Sequence, residues 1–261
     1  MIPAGATPEW LYAFPRKWLF SLAGARSTLV GMERCCPVVE LRQYTLRPGA
    51  RDTLVRLFDE HFVESQERCG MHVIGQFRDL DDPDRFVWLR GFADMAARTQ
   101  ALEAFYGGPV WKAHSAAANA TMVDHTNVLL LKPVGGTAGF RFDPRLRPEP
   151  ESPGVPGGVV IATIDHLSEP ATPHPVAAQG EMRPLARLVT EPARNPFVRL
   201  PVREDANVLV TVFSYATADA YRPAPITTPG VARREHLRLE PTRRSFLRHG
   251  LLPPPTGERA G

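Results

Sequence analysis

Apolar and polar residues alternate along three short stretches in the first half of the chain. The first, Val38–Leu46, places Val39 and Leu41 on one face and charged residues on the other, since successive strand side chains point to opposite faces. A similar alternation recurs in Val73–Asp79 and Arg85–Phe92, on either side of a turn rich in aspartate. These stretches predict three strands, the last two forming a hairpin.

Apolar residues at helical spacing separate these strands. The positions are Leu54, Leu57, Phe58 and Phe62 in one segment, and Met95, Leu102, Phe105 and Tyr106 in another. The first helix is predicted to begin at Arg51 or Asp52 and to end before Gly70. The second is predicted to be capped by Asp94 and broken at Gly107–Gly108.

A further helix and strand complete this unit. Pro109 is suited to the first turn of a helix, and Asn127–Val134 is a mostly apolar strand. The resulting β-α-β-β-α-β order is the ferredoxin-like split βαβ unit. Because helices cover only one side of such a sheet, the other side needs a partner. We therefore expect self-association, either as a homodimer or by pairing of the two halves within one chain.

The order of elements begins again after a segment rich in proline, glycine and arginine. Gly158–Leu167, Leu185–Thr190 and Asn207–Tyr215 correspond to the first three strands, while prolines interrupt both helices of this copy. The predicted division is a flexible extension at 1–36, a first domain at 37–134, a linker at 135–157, a degenerate second domain at 158–248 and a disordered tail at 249–261. The exposed sheet of the second copy requires cover from the first domain or from a partner chain.

Composition narrows the functional classes. The 261 residues carry a formal charge of only +3, without a basic stripe interleaved with aromatics, which argues against nucleic-acid binding. Three cysteines form no Cys-x-x-Cys pair and no even framework, and this is typical of a cytoplasmic protein. The adjacent Cys35 and Cys36 are expected in a flexible arm. The longest apolar run is too short for a membrane-spanning helix.

Three segments of the chain resemble a known family. ELRQYTLRPG, GQFRDLDDPDRFVWLRGF and YGGPVWKAHSAAANATM are similar to the NIPSNAP domain, and the resemblance covers about Val38 to Val134. A fainter resemblance links TEPARNPFVRLPVRE and NVLVTVFSY to the second domain of bacterial tandem members. The resemblance implies a dimeric α/β barrel, in which two ferredoxin-like sheets close face to face.

The resemblance does not imply a particular reaction. The family has no settled activity, and sharing a fold with monooxygenases, haem-degrading enzymes and isomerases does not transfer their chemistry. The leading hypothesis is a protein that binds a small acidic or aromatic ligand, in an accessory role. The alternatives are a cofactor-independent isomerase or monooxygenase acting on an aromatic or polyketide-like acid, and a protein-interaction module without a ligand.

Seven polar or aromatic residues share one face of the three predicted strands. They are Glu40, Arg42, Tyr44, Gln76, Arg78, Trp88 and Arg90. In a closed barrel this face is expected to form the interior or the interface between the sheets. Its three arginines against one glutamate suit a carboxylate, a phosphate or an acidic phenol as ligand. The alternative is a structural ion-pair network, because buried charges must be paired whether or not a ligand binds.

His114 is the candidate catalytic base, with Tyr44 or Arg42 as the hydrogen-bond donor. A neutral imidazole can accept a proton near neutral pH or ligate haem iron, whereas the alternative is a histidine on the helix surface. An apolar stripe through positions 110, 113, 117 and 120 would put His114 at the edge of the buried face. No second ligand stands at metal-like spacing nearby, so we expect neither a metal site nor a cofactor.

Overall fold

A computed structural model of the protein describes residues 33–136, 138–150, 152, 158–169, 184–223 and 230–250. The strands in these ranges are β1 (Glu33–Arg34), β2 (Val38–Leu46), β3 (His72–Asp79), β4 (Arg85–Phe92), β5 (Met122–Pro133), β6 (Arg141–Phe142), β7 (Val159–Leu167), β8 (Ala186–Thr190), β9 (Val208–Tyr215) and β10 (Val231–Pro241). The α-helices are α1 (Arg51–Leu57), α2 (Val63–Arg68), α3 (Met95–Gly107) and α4 (Pro109–Thr121), and a π-helical segment, Phe58–Phe62, joins α1 to α2. Short 3₁₀ segments occur at Val134–Gly136, Pro144–Leu146 and Ala218–Ala220. Within the described part of the chain, no helix combines the length and the apolar character that a membrane span requires.

Local signals in the sequence set the bounds of the helices. The Asp94 carboxylate accepts a hydrogen bond from the Ala97 backbone N–H and caps α3. Gly70 follows α2 with a φ of 90°, a conformation that glycine adopts without a Cβ clash. Pro109 lies in the first turn of α4, where its missing N–H costs no helical hydrogen bond. Of the predicted strands, the fourth differs most, because β5 begins at Met122 rather than at Asn127.

Eight strands of one chain form a closed antiparallel barrel. Their order is β10-β3-β4-β2-β5-β8-β9-β7, and β7 pairs back with β10. The first group has the spatial order β3-β4-β2-β5, so its strands follow one another as second, third, first and fourth in chain order. The second group has the order β8-β9-β7-β10, which is the same arrangement. The protein is thus a mixed α/β fold built on two four-stranded groups of equal topology.

Two seams join these groups. At one seam β10 pairs with β3, with Leu239 opposite Asp79. At the other β5 pairs with β8, with Leu131 opposite Thr190. The two groups therefore share one continuous ring of backbone hydrogen bonds and one interior.

Apolar side chains fill this interior. They include Val39, Leu41, Phe77, Val87, Leu89, Leu129, Leu131, Val160, Ala162, Ile164, Leu188, Val208, Val210, Val212, Leu237 and Leu239, which form one buried cluster. An eight-stranded barrel has an interior just wide enough for side chains. The interior is thus a packed apolar core to which the first half contributes the apolar face of its strands.

The helices cover the outer face of β2–β5. A second buried cluster lies between them and the sheet, and Phe58, Phe62, Trp88, Leu102 and Phe105 are among its members. This arrangement follows from the two-faced strands, since each face of the sheet meets a different layer.

The outer face of the second group of strands has no α-helix within the described residues. Phe213, Tyr215 and Tyr221 pack together there and are buried. The proline-rich segments 170–183 and 224–229, on which the broken helices were predicted, lie outside the described residues. What covers this face stays a prediction.

Residues 33–36 differ from the expected flexible arm. The short strand β1 pairs with β6, placing Glu33 opposite Phe142. Cys35 and Cys36 form a disulfide, which the cysteine spacing did not lead us to expect. Cys36 is buried beside Gly91 and belongs to the interior cluster. The expectation is wrong here because strand pairing and burial hold the segment; the rest of the predicted extension, 1–32, and the tail from residue 251 lie outside the described residues.

The predicted linker is attached to the first half by a buried arginine. Arg147 donates through Nη2 to the Glu67 carboxylate and to the Val73 carbonyl, each at 2.5 Å. Its Nη1 donates to the carbonyl of Arg244 at 2.8 Å. The linker and the segment after β10 therefore meet beside α2 and β3.

Candidate functional site

The polar face of the first-half strands is turned toward the helices, not toward the barrel interior. Glu40, Trp88 and Arg90 are fully or almost fully buried, and Trp88 belongs to the cluster beneath the helices. The prediction of an interior or sheet–sheet location is therefore wrong. The physical reason is that the apolar face of these strands packs against the apolar face of the second-half strands. The polar face is therefore the one that the helices cover.

One carboxylate lies at the centre of this polar layer. Glu40 Oε2 accepts hydrogen bonds from Arg42 Nη1 at 2.7 Å and from Arg90 Nε at 2.8 Å. Its other oxygen, Oε1, accepts from Arg98 Nε at 2.7 Å. Arg98 comes from α3, so the network joins the sheet to the helical layer.

Positive charge exceeds negative charge in this network. The side chains of Glu40, Arg42, Arg90 and Arg98 are all 0% exposed. Burial alone would raise the pKa of the Glu40 carboxyl, but Arg90, Arg42 and Arg98 hold it well below its usual range. Each of the three arginines also has an Nη2 without a hydrogen-bond partner among the described residues. Three guanidiniums thus share one carboxylate and retain unused donors.

An aromatic cavity adjoins this charged network. It has a volume of about 30 Å³ and is lined by Tyr44, Leu54, Phe58, Phe62, Gln66, Trp88, Phe105, Tyr106, Trp111, Ala118 and Met122. The Arg42 guanidinium lies 5.4 Å from the centre of the Tyr44 ring, and the Arg90 guanidinium lies 4.9 Å from that of Trp88. Cation–π attraction of this kind holds the positive groups against the cavity wall.

Tyr44 connects the two parts of the site. Its hydroxyl accepts a hydrogen bond from Arg42 Nε at 2.9 Å, which leaves the phenolic proton available to a further acceptor. Burial raises the pKa of this phenol, with Arg42 acting in the opposite direction. Tyr44 is therefore suited to donate a hydrogen bond.

A segment of the second half, 191–206, crosses the first half beside this site. The backbone N–H of Glu191 donates to the Leu130 carbonyl, and that of Arg203 donates to the Val128 carbonyl. Phe197 stacks on Tyr106, with ring centres 6.1 Å apart. We call this segment the strap.

Asn195 fixes the strap to the charged network. Its Oδ1 accepts from Arg98 Nη1 at 2.9 Å and from the Phe197 backbone N–H at 3.1 Å. Its Nδ2 donates to the carbonyls of Phe197 and Leu200. One side chain thus organises the strap turn and accepts a hydrogen bond from Nη1 of a buried guanidinium.

Replacing Asn195 with alanine is expected to lower the free energy of unfolding by roughly 1–3 kcal/mol, because Arg98 Nη1 loses its partner in a buried site. Chemical denaturation measures this change. Asn119→Ala, at an exposed position of α4, is the matched control and should stay within about 0.5 kcal/mol of wild type. Equal values for the two variants would contradict the role of Asn195.

The remaining predicted ligand-binding residues lie at different places on this face. Gln76 is fully buried and stands opposite Trp88 on the neighbouring strand. Arg78 does not join the Glu40 network: its Nη2 donates to Asp52 in α1 at 2.6 Å. The third arginine of the network is Arg98, which the strand pattern could not reveal.

His114 lies behind the cavity lining, where its ring meets that of the lining residue Phe62 edge to face, with centres 6.4 Å apart. Its ring stacks on that of His61 with centres 3.8 Å apart, and it is not among the residues that line the cavity. The predicted apolar stripe is wrong, since positions 113, 117 and 120 are exposed while Ala118 and Thr121 are buried. The catalytic roles of His114 and Tyr44 stay predictions.

The sequence reasoning missed several polar residues near this site, among them the buried Arg98 and Asp59 and the half-buried Asn195. Arg98 and Asn195 belong to the network described above, and Asp59 lies in the π-helical segment with an exposure of 6%. Burial raises the pKa of the Asp59 carboxyl to about 6, against the opposing effects of Arg243, Arg244 and Arg78. Helical spacing could have indicated Arg98, which lies on the buried face of α3 with Ala101, Leu102 and Phe105.

No group of three or more histidine, cysteine, aspartate or glutamate side chains that could hold a metal ion occurs within the described ranges. The donors that converge at Glu40 are guanidiniums, which are always protonated and do not ligate metal ions. The groups at this face can form hydrogen bonds, charge pairs and aromatic stacking contacts.

Comparisons with known proteins find matches to the first half of the chain. The family model described as NIPSNAP matches residues 39–135. A NIPSNAP family protein from Agrobacterium tumefaciens is 21% identical, with 37% of this chain and 91% of that chain covered and a TM-score of 0.35. No curated protein matches the chain.

Two further solved structures extend over more of the chain. A candidate monooxygenase from Lactobacillus acidophilus is 13% identical, covers 79% of this chain and 94% of its own, and has a TM-score of 0.46. One from Fusobacterium nucleatum is 11% identical, with 79% and 93% covered and a TM-score of 0.47. The comparisons thus show that residues 39–135 are similar to the NIPSNAP family.

Proposed function

We propose that the first half of the protein binds a small aromatic carboxylic acid between its sheet and its helices. The observation that carries the proposal is the buried charge imbalance, with three guanidiniums around the single carboxylate of Glu40. A ligand carboxylate would supply negative charge and accept hydrogen bonds from the unused Nη2 groups. Arginine suits this task because its planar guanidinium matches the geometry of a carboxylate.

The adjoining cavity would receive the aromatic part of the ligand. Its volume of about 30 Å³ is far below the roughly 300 Å³ or more of ordinary ligand pockets, so a ligand must displace a side chain. Tyr106 and Trp111 are half-buried on either side of the break at Gly107–Gly108. Movement of these two rings would open the cavity without disturbing the sheet.

Binding can be tested with a pair of probes that differ in charge. Isothermal titration of the full chain with benzoate and with benzyl alcohol compares the same ring with and without a carboxylate. The proposal expects benzoate to bind more tightly, together with an increase in melting temperature. Equal binding of the two probes, or binding of neither, would overturn the proposal.

Arg42 and Arg90 are expected to contribute directly to this binding. Changing either residue to alanine should weaken benzoate affinity about tenfold or more, since a charge-assisted hydrogen bond contributes roughly 1.5–3 kcal/mol. Arg42→Met, which retains the apolar stem, controls for lost packing and should show the same loss. Arg56→Ala, at an exposed position of α1, should bind as wild type does. Unchanged affinity in folded Arg42 and Arg90 variants would contradict this assignment.

We further propose that the second half is a degenerate ferredoxin-like copy that takes the place of a second subunit. The equal strand orders of β2–β5 and β7–β10 support this relation, as does the pairing at both seams. The proposed domains remain 37–134 and 158–248, joined by 135–157. In this proposal the second copy also contributes to ligand binding, because its strap completes the wall of the ligand site.

The proposal is for a binding or accessory protein. Catalysis by His114 is not included, because that ring stacks on His61 rather than facing the cavity. A homodimer and a cytoplasmic location rest on sequence arguments alone and stay predictions.

A further inference from the structure

Polar side chains form a row across the helix-facing side of the sheet. Arg42 stands opposite Trp88, and Trp88 stands opposite Gln76, so the three residues are neighbours on adjacent strands. Thr242 continues the row, since its backbone N–H donates to the Gln76 carbonyl at 2.9 Å. Adjacent strands are about 4.8 Å apart, so the backbones of Arg42 and Gln76 are about 10 Å apart across the sheet.

Most of these side chains carry polar atoms without a protein partner. Within the described residues, no hydrogen bond reaches Arg42 Nη2, Trp88 Nε1 or either polar atom of the Gln76 amide. Asp59 Oδ1 is also without a partner there, and Asp59 directly follows Phe58, whose ring packs on that of Trp88 with centres 4.8 Å apart. Folded proteins leave few buried polar groups unpaired, so such a concentration requires an explanation.

The donors and acceptors are unevenly distributed along the row. The end at Arg42 and Trp88 offers only N–H donors, whereas the end at Gln76 and Asp59 includes carbonyl and carboxylate acceptors. The cavity borders the row at Trp88 and Phe58, and Phe58 directly precedes Asp59. A molecule that satisfies the whole row therefore needs an acceptor at one end and a donor at the other.

We propose that the row is a polar subsite for the hydroxyl group of a hydroxylated aromatic acid, with Asp59 accepting a hydrogen bond from that hydroxyl. The inference rests on the proposed function and deepens it, since the carboxylate of the same ligand would pair with Arg42. A benzoate hydroxylated opposite its carboxylate carries hydrogen-bond acceptors at one end and a donor at the other, which is the pattern that the row requires.

The electrostatic surroundings of Asp59 make its acceptor strength dependent on pH. Burial raises the pKa of its carboxyl to about 6, and Arg243, Arg244, Arg78 and the Thr242 hydroxyl oppose that effect. The carboxyl is thus ionised at about pH 7.5 and mostly protonated at about pH 5. Hydrogen bonds to an ionised carboxylate are the stronger ones, so preference for a hydroxylated ligand should increase with pH over this range.

The test compares 4-hydroxybenzoate with benzoate by calorimetric titration of the full chain. At about pH 7.5 we expect wild type to bind 4-hydroxybenzoate at least about tenfold more tightly, and less so at about pH 5. Asp59→Leu should bring the ratio of the two affinities close to one. Asp59→Asn retains an amide oxygen and should show a ratio that does not depend on pH. Asp52→Asn, at an exposed position of α1, serves as the matched control and should keep the wild-type ratio.

Equal affinities of wild type for the two acids would overturn this inference and leave the proposed function intact. A preference that persists in Asp59→Leu would also overturn it, because the hydroxyl would then be recognised elsewhere. Absence of binding by both acids would overturn the proposed function and this inference together.

Discussion

Replacement of Glu40 with glutamine is expected to lower the free energy of unfolding by about 3–5 kcal/mol. The wild-type carboxylate is fully buried and accepts hydrogen bonds from Arg42, Arg90 and Arg98. Glutamine keeps the shape of the side chain but removes its charge, so three buried guanidiniums remain without a counter-charge. Removing one partner of a buried pair costs more than the pair itself contributes, because the remaining charge stays desolvated.

Denaturation by urea measures this effect, with Glu103→Gln as the matched control. Glu103 lies at an exposed position of α3, where removal of the charge should change stability by no more than about 0.5 kcal/mol. The pKa of Glu40 is held well below its usual range, so its contribution is present above the unfolded-state pKa and is lost as pH falls toward the folded-state value. The difference between wild type and Glu40→Gln should therefore decrease below about pH 4. A loss under about 1 kcal/mol at neutral pH would contradict the network.

Asp59→Asn is expected to act in the opposite direction and to stabilise the protein at about pH 7.5 by up to about 3 kcal/mol. Burial raises the pKa of this carboxyl from 3.8 to about 6, and each unit corresponds to about 1.4 kcal/mol. Below the unfolded-state pKa both states are protonated and there is no penalty. The penalty increases as pH rises between the two values and is complete above about pH 6.

The melting temperatures of wild type and Asp59→Asn should therefore converge toward about pH 4 and separate as pH rises. Asp52→Asn is the control, because a hydrogen bond from Arg78 lowers the pKa of that carboxyl. It should not stabilise the protein at any pH in this range. A variant Asp59→Asn that is less stable than wild type at about pH 7.5 would show that the ionised carboxylate is favourably paired.

The architecture of the first half follows from local patterns. Alternation predicted β2, β3 and β4, and Asp94, Gly70 and Pro109 indicated helix bounds, because each signal depends only on nearby residues. The start of β5 could not be predicted as well, since Met122–Asn127 is mostly half-buried or exposed and lacks an apolar face. Its pairing with β2 is a property of the sheet rather than of the segment.

The second half was predicted only in part. Three strands were recognised because they are apolar, whereas β10 was missed, since VARREHLRLEP interleaves charges with its apolar residues. Its outward charges pair across strands instead, as in the contact of Arg234 with Asp165. The sequence did not indicate this pairing, because the two residues are far apart along the chain.

Strand parity correctly placed Glu40, Arg42 and Arg90 on one face of the sheet. It wrongly led us to expect that this face lies in the barrel interior, whereas the helices cover it. A sheet has two faces, and alternation alone does not say which of them meets the helices. Arg98 and Asn195 complete the network from a helix and from the strap. Contacts between distant segments of this kind require the fold, so no single-strand pattern could supply them.

The most direct measurement for the central claim is the position of a bound heavy-atom analogue. Crystals of the full chain soaked with 4-iodobenzoate would locate the ligand by the anomalous signal of iodine. We predict one iodine site between the sheet and the helices, in contact with Trp88 and Phe58, with the carboxylate directed toward Arg42. Iodine in the barrel interior or only on the outer surface would contradict a ligand site at the helix-facing side of the sheet.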